Sequence, residues 1–104
     1  MIPRVWRGIV EESKADEFFD YVLQTGVKSL RATEGNQGVL VLRRVSEGYS
    51  EFVLISLWES FDAIRRFAGE DVEKAVYFPK DKDFLVKPEL KVQHFEVLYK
   101  NENR

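Results

Sequence analysis

The chain of 104 residues contains no cysteine and a single histidine, His94. Without cysteine there are no disulfides, thiol nucleophiles, iron–sulfur ligands or cysteine-based zinc sites, and one histidine cannot build a His-rich metal site within one chain. No metal and no cofactor is expected. A charge excess of one sign is also missing. Sixteen Lys and Arg stand against eighteen Asp and Glu for a formal net charge of -2, and no basic run is long enough to track phosphates, so nucleic acid is not an expected partner. Long apolar runs are absent too: stretches such as Phe52 to Leu57 fall far short of the roughly 20 residues that span a bilayer. The opening Met1-Ile2-Pro3-Arg4 has no signal-peptide character. A cytoplasmic protein without membrane association is expected.

What the chain does have is aromatic weight. Eight Phe, four Tyr and two Trp make up 13% of the residues, within a hydrophobic fraction of 44%. A chain of this length folds as one domain, residues 1–104, and by itself hides only about 60–65% of its surface. Its core is expected at roughly residues 4–99, with a polar tail at 100–104.

The pattern along the chain predicts a first strand over Arg4 to Val10. Ser13 and Asp16 resemble a capping box, and Ala15, Phe18, Phe19, Val22 and Leu23 follow helical spacing, with Gly26 suited to end that helix. Val39 to Val45 and Glu51 to Trp58 predict two strands joined by a turn at Glu47-Gly48. Ser60 caps a second predicted helix carrying Phe61, Ile64, Phe67 and Ala68 and ending at Gly69. A short helical turn over Asp71 to Val76, an irregular crossing from Tyr77 to Leu85 and a last strand from Lys91 to Tyr99 complete the chain. The order is the α+β, ferredoxin-like βαββαβ pattern: a four-stranded antiparallel sheet with both helices on one face.

Both faces of the middle strands are apolar. Phe52, Leu54, Ser56 and Trp58 alternate with Val53, Ile55 and Leu57, and Val39 and Val41 with Leu40 and Leu42. Two helices cover one face, so the other is expected to pack on a second copy, giving a homodimer through the sheet face opposite the helices. Small aliphatics suit the helix layer. On that reasoning Trp58, Ser56 and Leu54, with Arg4, Trp6 and Gly8, face the dimer side, and His94 and Glu96 follow them while Phe95 and Val97 point to the helices. The result is a small-molecule pocket with aromatic walls and a few polar groups. His94 is the natural acid/base group or else makes a structural hydrogen bond. Trp6 and Trp58 serve as pocket walls or as packing anchors. Asp81 belongs to a solvated loop or to the pocket mouth.

Two stretches carry a family resemblance: Ile55-Ser56-Leu57-Trp58-Glu59-Ser60 with the helix after it and Phe67-Ala68-Gly69, and Gly35-Asn36-Gln37-Gly38 before the second strand. Together with Ala75 to Asp81 and Val92 to Val97, they make the chain resemble the antibiotic biosynthesis monooxygenase family of the dimeric α+β barrel superfamily. That resemblance implies a homodimer whose sheets join in a barrel, with a pocket between sheet and helices in each subunit. It also implies oxidation of a small aromatic or quinol-type molecule by dioxygen without metal or flavin, in which pocket side chains deprotonate the substrate. Haem-degrading relatives carry Asn where this chain has Trp6, and a haem-ligating His after the second helix. Here no His follows Trp58 until His94, which argues against haem degradation. The catalytic reading assigns the base to His94, pocket walls to Trp6, Leu54, Trp58, Phe67 and Tyr77, oxyanion stabilisation to Arg4 or Asn36, and further substrate contacts to Ser56 and Asp81. The competing reading is a non-catalytic binding or stress-response dimer.

Overall fold

Alternating apolar residues and β-branched side chains produce the strands, and their ends are set by turn chemistry. The computed structural model describes residues 1–102; Asn103 and Arg104, the end of the expected polar tail, lie outside the described residues. The elements are β1 (Ile2–Glu11), α1 (Ala15–Val22), α2 (Lys28–Ala32), β2 (Asn36–Ser46), β3 (Tyr49–Trp58), α3 (Phe61–Ala68), α4 (Asp81–Phe84) and β4 (Gln93–His94). The sheet runs β2-β3-β1-β4 with every neighbouring pair antiparallel, which is the ferredoxin-like order expected from the sequence. The hairpin between β2 and β3 turns through Glu47 and Gly48, whose positive φ values of 51° and 84° match a tight hairpin turn.

Helix signals succeed where they act locally. The Ser60 hydroxyl accepts the Ala63 N–H at 3.1 Å, and Gly69 at φ 86° ends α3. The first helix differs from expectation at both ends. Ser13 lies in a 3₁₀ turn, Glu12–Lys14, and caps nothing with its side chain. Gly26 does not stop the helix: a π turn, Leu23–Val27, carries the chain directly into α2. Gly26 is buried there against the Phe78 ring, so it serves packing and not termination. The expected helical turn over Asp71 to Val76 reduces to one hydrogen-bonded turn, Lys74 N–H to Asp71 O at 3.1 Å.

The expected assignment of the sheet faces is reversed. Phe52, Leu54, Ser56 and Trp58 are buried under the helices, while Val53, Ile55 and Leu57 lie on the open face. Volume is the reason. The gap between a sheet and the helices above it is filled here by large rings set between small residues, so Trp58, Phe52, Phe18 and Ile64 interdigitate with Ala15, Ala63, Ser56 and Gly8. Phe18 meets Phe52 edge-on at 5.1 Å between centroids. Trp6 folds over Gly8 on the same face of β1: a Cβ at residue 8 would stand 2.2 Å from the Trp6 ring.

His94 therefore faces the helices with Arg4, its partner in the β1/β4 register, and not the opposite side. The last strand is also shorter than expected, Gln93–His94 in place of Lys91 to Tyr99. Just past His94 the Phe95 N–H donates to Pro3 O at 3.0 Å, and Phe95, 54% exposed, does not enter the helix layer.

Candidate functional site

Between the sheet and the helical layer lies a cavity of about 50 Å³, room for a few water molecules. The sheet contributes Arg4, Trp6, Leu54 and Ser56, and α3 contributes Phe67. The first helical run supplies Phe18, Val22, Gly26 and Leu30. Gly26 lies in the π turn, a local widening of the helix often found at functional sites. The crossing after α3 closes the far wall with Val76, Phe78, Asp81 and Val92.

Six of the ten residues expected to form the site thus come together: Arg4, Trp6, Leu54, Ser56, Phe67 and Asp81. The other four stand around them. Trp58 is fully buried behind the wall, donating its indole N–H to Ser56 Oγ at 2.9 Å and packing on Phe67 at 6.1 Å. Tyr77 accepts the Trp6 indole N–H at 3.3 Å and donates to Glu89 O, which fixes the Trp6 ring. Asn36 sits at the β-bulge opening β2, where its Oδ1 accepts the Gly38 N–H at 3.1 Å and its buried Nδ2 has no partner among the described residues. His94 lies in an open groove with Phe61 and Glu73, outside the cavity lining.

Val22 and Gly26 are expected from the sequence only as helix positions and Leu30 not at all, because a π turn leaves no mark in apolar periodicity. Gly26 carried the available signal, a glycine inside an otherwise continuous helical pattern.

Two charged side chains line the cavity. Arg4 is 3% exposed. Its Nη1 donates to Val72 O and to His94 Nε2 at 3.2 Å, its Nη2 donates to Lys74 O at 2.9 Å, and its guanidinium lies 5.7 Å from the Phe67 centroid. Burial lowers its pKa to about 10. Because arginine only donates, His94 Nε2 accepts, which requires a neutral imidazole with its proton on Nδ1. Burial, then the Arg4 charge, depress the His94 pKa, and Glu73 partly opposes them.

Asp81 is 6% exposed. Its Oδ2 accepts the Phe78 N–H at 2.7 Å, and its own N–H returns a bond to Phe78 O at 3.0 Å, clamping the crossing. Burial raises its pKa, opposed by the Phe78 bond. A carboxyl whose folded pKa lies above its unfolded value binds more protons when folded, so it costs stability as pH rises from the unfolded value through the folded one. Asp81→Asn, which can keep the bond from Phe78, should therefore stabilise the fold at neutral pH. Urea unfolding at neutral and strongly acidic pH checks this: the gain should vanish in acid, and a loss of stability at neutral pH would contradict it.

Among the described residues no cluster of three or more His, Asp or Glu could hold a metal, and no helix is long and apolar enough to cross a membrane. Comparison with solved structures agrees with the fold. A candidate antibiotic biosynthesis monooxygenase from Bacillus cereus superposes with a TM-score of 0.69 at 16% identity, covering 98% of this chain and 97% of that one. A second candidate, from Nitrosomonas europaea, gives 0.65 at 17% identity over 95% and 100% of the two chains. The haem degrader MhuD of Mycobacterium tuberculosis, solved with two haems in its active site, gives 0.61 at 16% identity over 98% and 100%. No curated protein is significantly similar in sequence. The sequence model of one family, antibiotic biosynthesis monooxygenase, matches residues 6–76, from Trp6 on β1 to Val76 on the cavity wall, and the chain belongs to that family.

Proposed function

We propose that the cavity binds a small aromatic or quinol-type molecule and that the protein oxidises it with dioxygen as a cofactor-independent monooxygenase. The observation that carries this reading is that the two buried charged side chains, Arg4 and Asp81, line one aromatic cavity. Buried charges without an ion-pair partner are costly in a fold and concentrate at functional sites. Asp81 is the proton acceptor in this reading, with a pKa moved toward neutrality as a general base requires. Arg4 stabilises the anion that the substrate becomes once Asp81 has taken its proton. His94, the base expected from the sequence, reaches the cavity only through Arg4 and acts as a positioning residue. The balance is internal: the substrate loses two hydrogens, one oxygen atom enters it, and the other leaves as water.

Ligand sites usually offer about 300–1,000 Å³, so a ligand enters only as the cavity widens. The small cavity of about 50 Å³ favours a second reading, a binding protein without catalysis. Oxygen uptake with a panel of quinols and polyketide-like phenols separates the two. Asp81→Asn should lower the rate about 100-fold or more while leaving the fold intact. His94→Ala should raise KM more than it lowers kcat. Binding without oxygen uptake would leave the second reading standing, and equal rates for wild type and Asp81→Asn would remove Asp81 as base.

The open sheet face is the proposed homodimer surface. Leu40, Leu42 and Ile9 are 49%, 44% and 41% exposed there, around the half-buried Val5, Val53, Ile55 and Leu57. Such a patch is rarely left bare on a monomer. A cytosolic location is part of the same proposal.

A further inference from the structure

Arg4 occupies an unusual electrostatic position. It is 3% exposed, and among the described residues no carboxylate lies within ion-pair distance of its guanidinium. Its bonds go to two backbone carbonyls and one imidazole, all neutral. Of its five N–H donors these bonds engage Nη1 twice and Nη2 once, leaving Nε–H and the second Nη2–H outside them. Asp81 lines the same cavity without pairing to it. A buried cation supported only by neutral groups bears most of its desolvation cost, and its lowered pKa agrees with this.

We propose that the ligand of this cavity is an aromatic acid whose carboxylate meets the unused donors of Arg4. Its ring lies among Trp6, Phe18 and Phe67, and a hydroxyl on the far side of the ring donates to Asp81. A planar carboxylate matches the guanidinium fork, where a neutral amide of the same shape places an N–H against donors. The Asp81 end selects the opposite polarity, because a carboxylate there would face another carboxylate while a hydroxyl supplies the missing proton. This inference rests on the cavity being a small-molecule site, as proposed above, and adds the charge and orientation of what it takes.

The test uses 4-hydroxybenzoate, its neutral analogue 4-hydroxybenzamide, and benzoate as probes, with binding to the intact wild-type protein measured by calorimetry at neutral pH. 4-Hydroxybenzoate should bind about tenfold or more tightly than 4-hydroxybenzamide, and more tightly than benzoate. Arg4→Met should erase the preference for the acid, and Arg4→Lys should restore part of it; circular dichroism checks that both variants fold. If the wild type binds the amide as well as the acid, the proposal fails: Arg4 is then a strut tying β1 to the crossing, and the small-molecule site still stands. If the wild type binds none of the three, the cavity reading and this inference fall together.

Discussion

Replacing Trp58 with alanine is expected to lower the free energy of unfolding by about 3–5 kcal/mol. The side chain is fully buried, packs on Phe67 at 6.1 Å and donates to Ser56 Oγ at 2.9 Å. Its strand position pairs with both Ile2 on β1 and Asn36 on β2. Removing it opens a cavity under α3 at the end of β3 and strands a buried hydroxyl. Domains of this size have roughly 5–15 kcal/mol in total, so the variant stands close to the unfolding threshold. Trp58→Phe keeps most of the volume and loses the hydrogen bond, for a smaller cost of about 1–3 kcal/mol. Urea titration at fixed protein concentration measures both. A Trp58→Ala cost below about 1 kcal/mol would show that the residue is a replaceable pocket wall and not a packing anchor.

Ile55→Glu is expected to convert a dimer of about twice 12.2 kDa into a monomer, read by light scattering at micromolar concentration. Ile55 lies on the open face of the central strand β3, between Val5 on β1 and Leu40 on β2. A carboxylate buried there without a partner costs several kcal/mol, and each 1.4 kcal/mol is about tenfold in Kd, so the dimer should weaken by roughly a thousandfold or more. The face also carries the Arg7–Glu51–Arg44 ion cluster. That cluster holds Glu51 below its usual pKa, chiefly through hydrogen bonds from Arg7 and Arg44, and gives the surface a polar margin beside its apolar centre. A wild-type mass near 12.2 kDa would remove the dimer proposal.

The two substitutions sit on opposite faces of one strand, and the strand's own pattern does not say which face is which. Alternation along Phe52 to Trp58 reveals that both sides are apolar and that two helices leave one of them uncovered. The preference of small aliphatics for a helix layer predicts Trp58 on the dimer side, whereas it is buried under the helices. The missing information is the spacing between layers, which Phe18 and Ile64 share with Phe52 and Trp58, and that spacing does not exist until the helices dock. His94 moved with the same error, since its face is fixed by its pairing with Arg4.

Local chemistry was legible: the Ser60 cap, the Gly69 stop and the Glu47-Gly48 turn depend on neighbours within a few residues. So was the order of elements, and with it the α+β ferredoxin-like topology. The aromatic content and the absence of cysteine likewise bounded the kind of site the chain can build. Arg4 from β1 and Asp81 from the crossing, 77 positions apart in sequence, are both expected site residues; the tertiary structure alone decided that their cavity lies on the helix side of the sheet and that His94 stands outside its lining. Such meetings depend on packing between distant segments, because a buried charge gains its meaning from what surrounds it, and its surroundings come from every part of the chain.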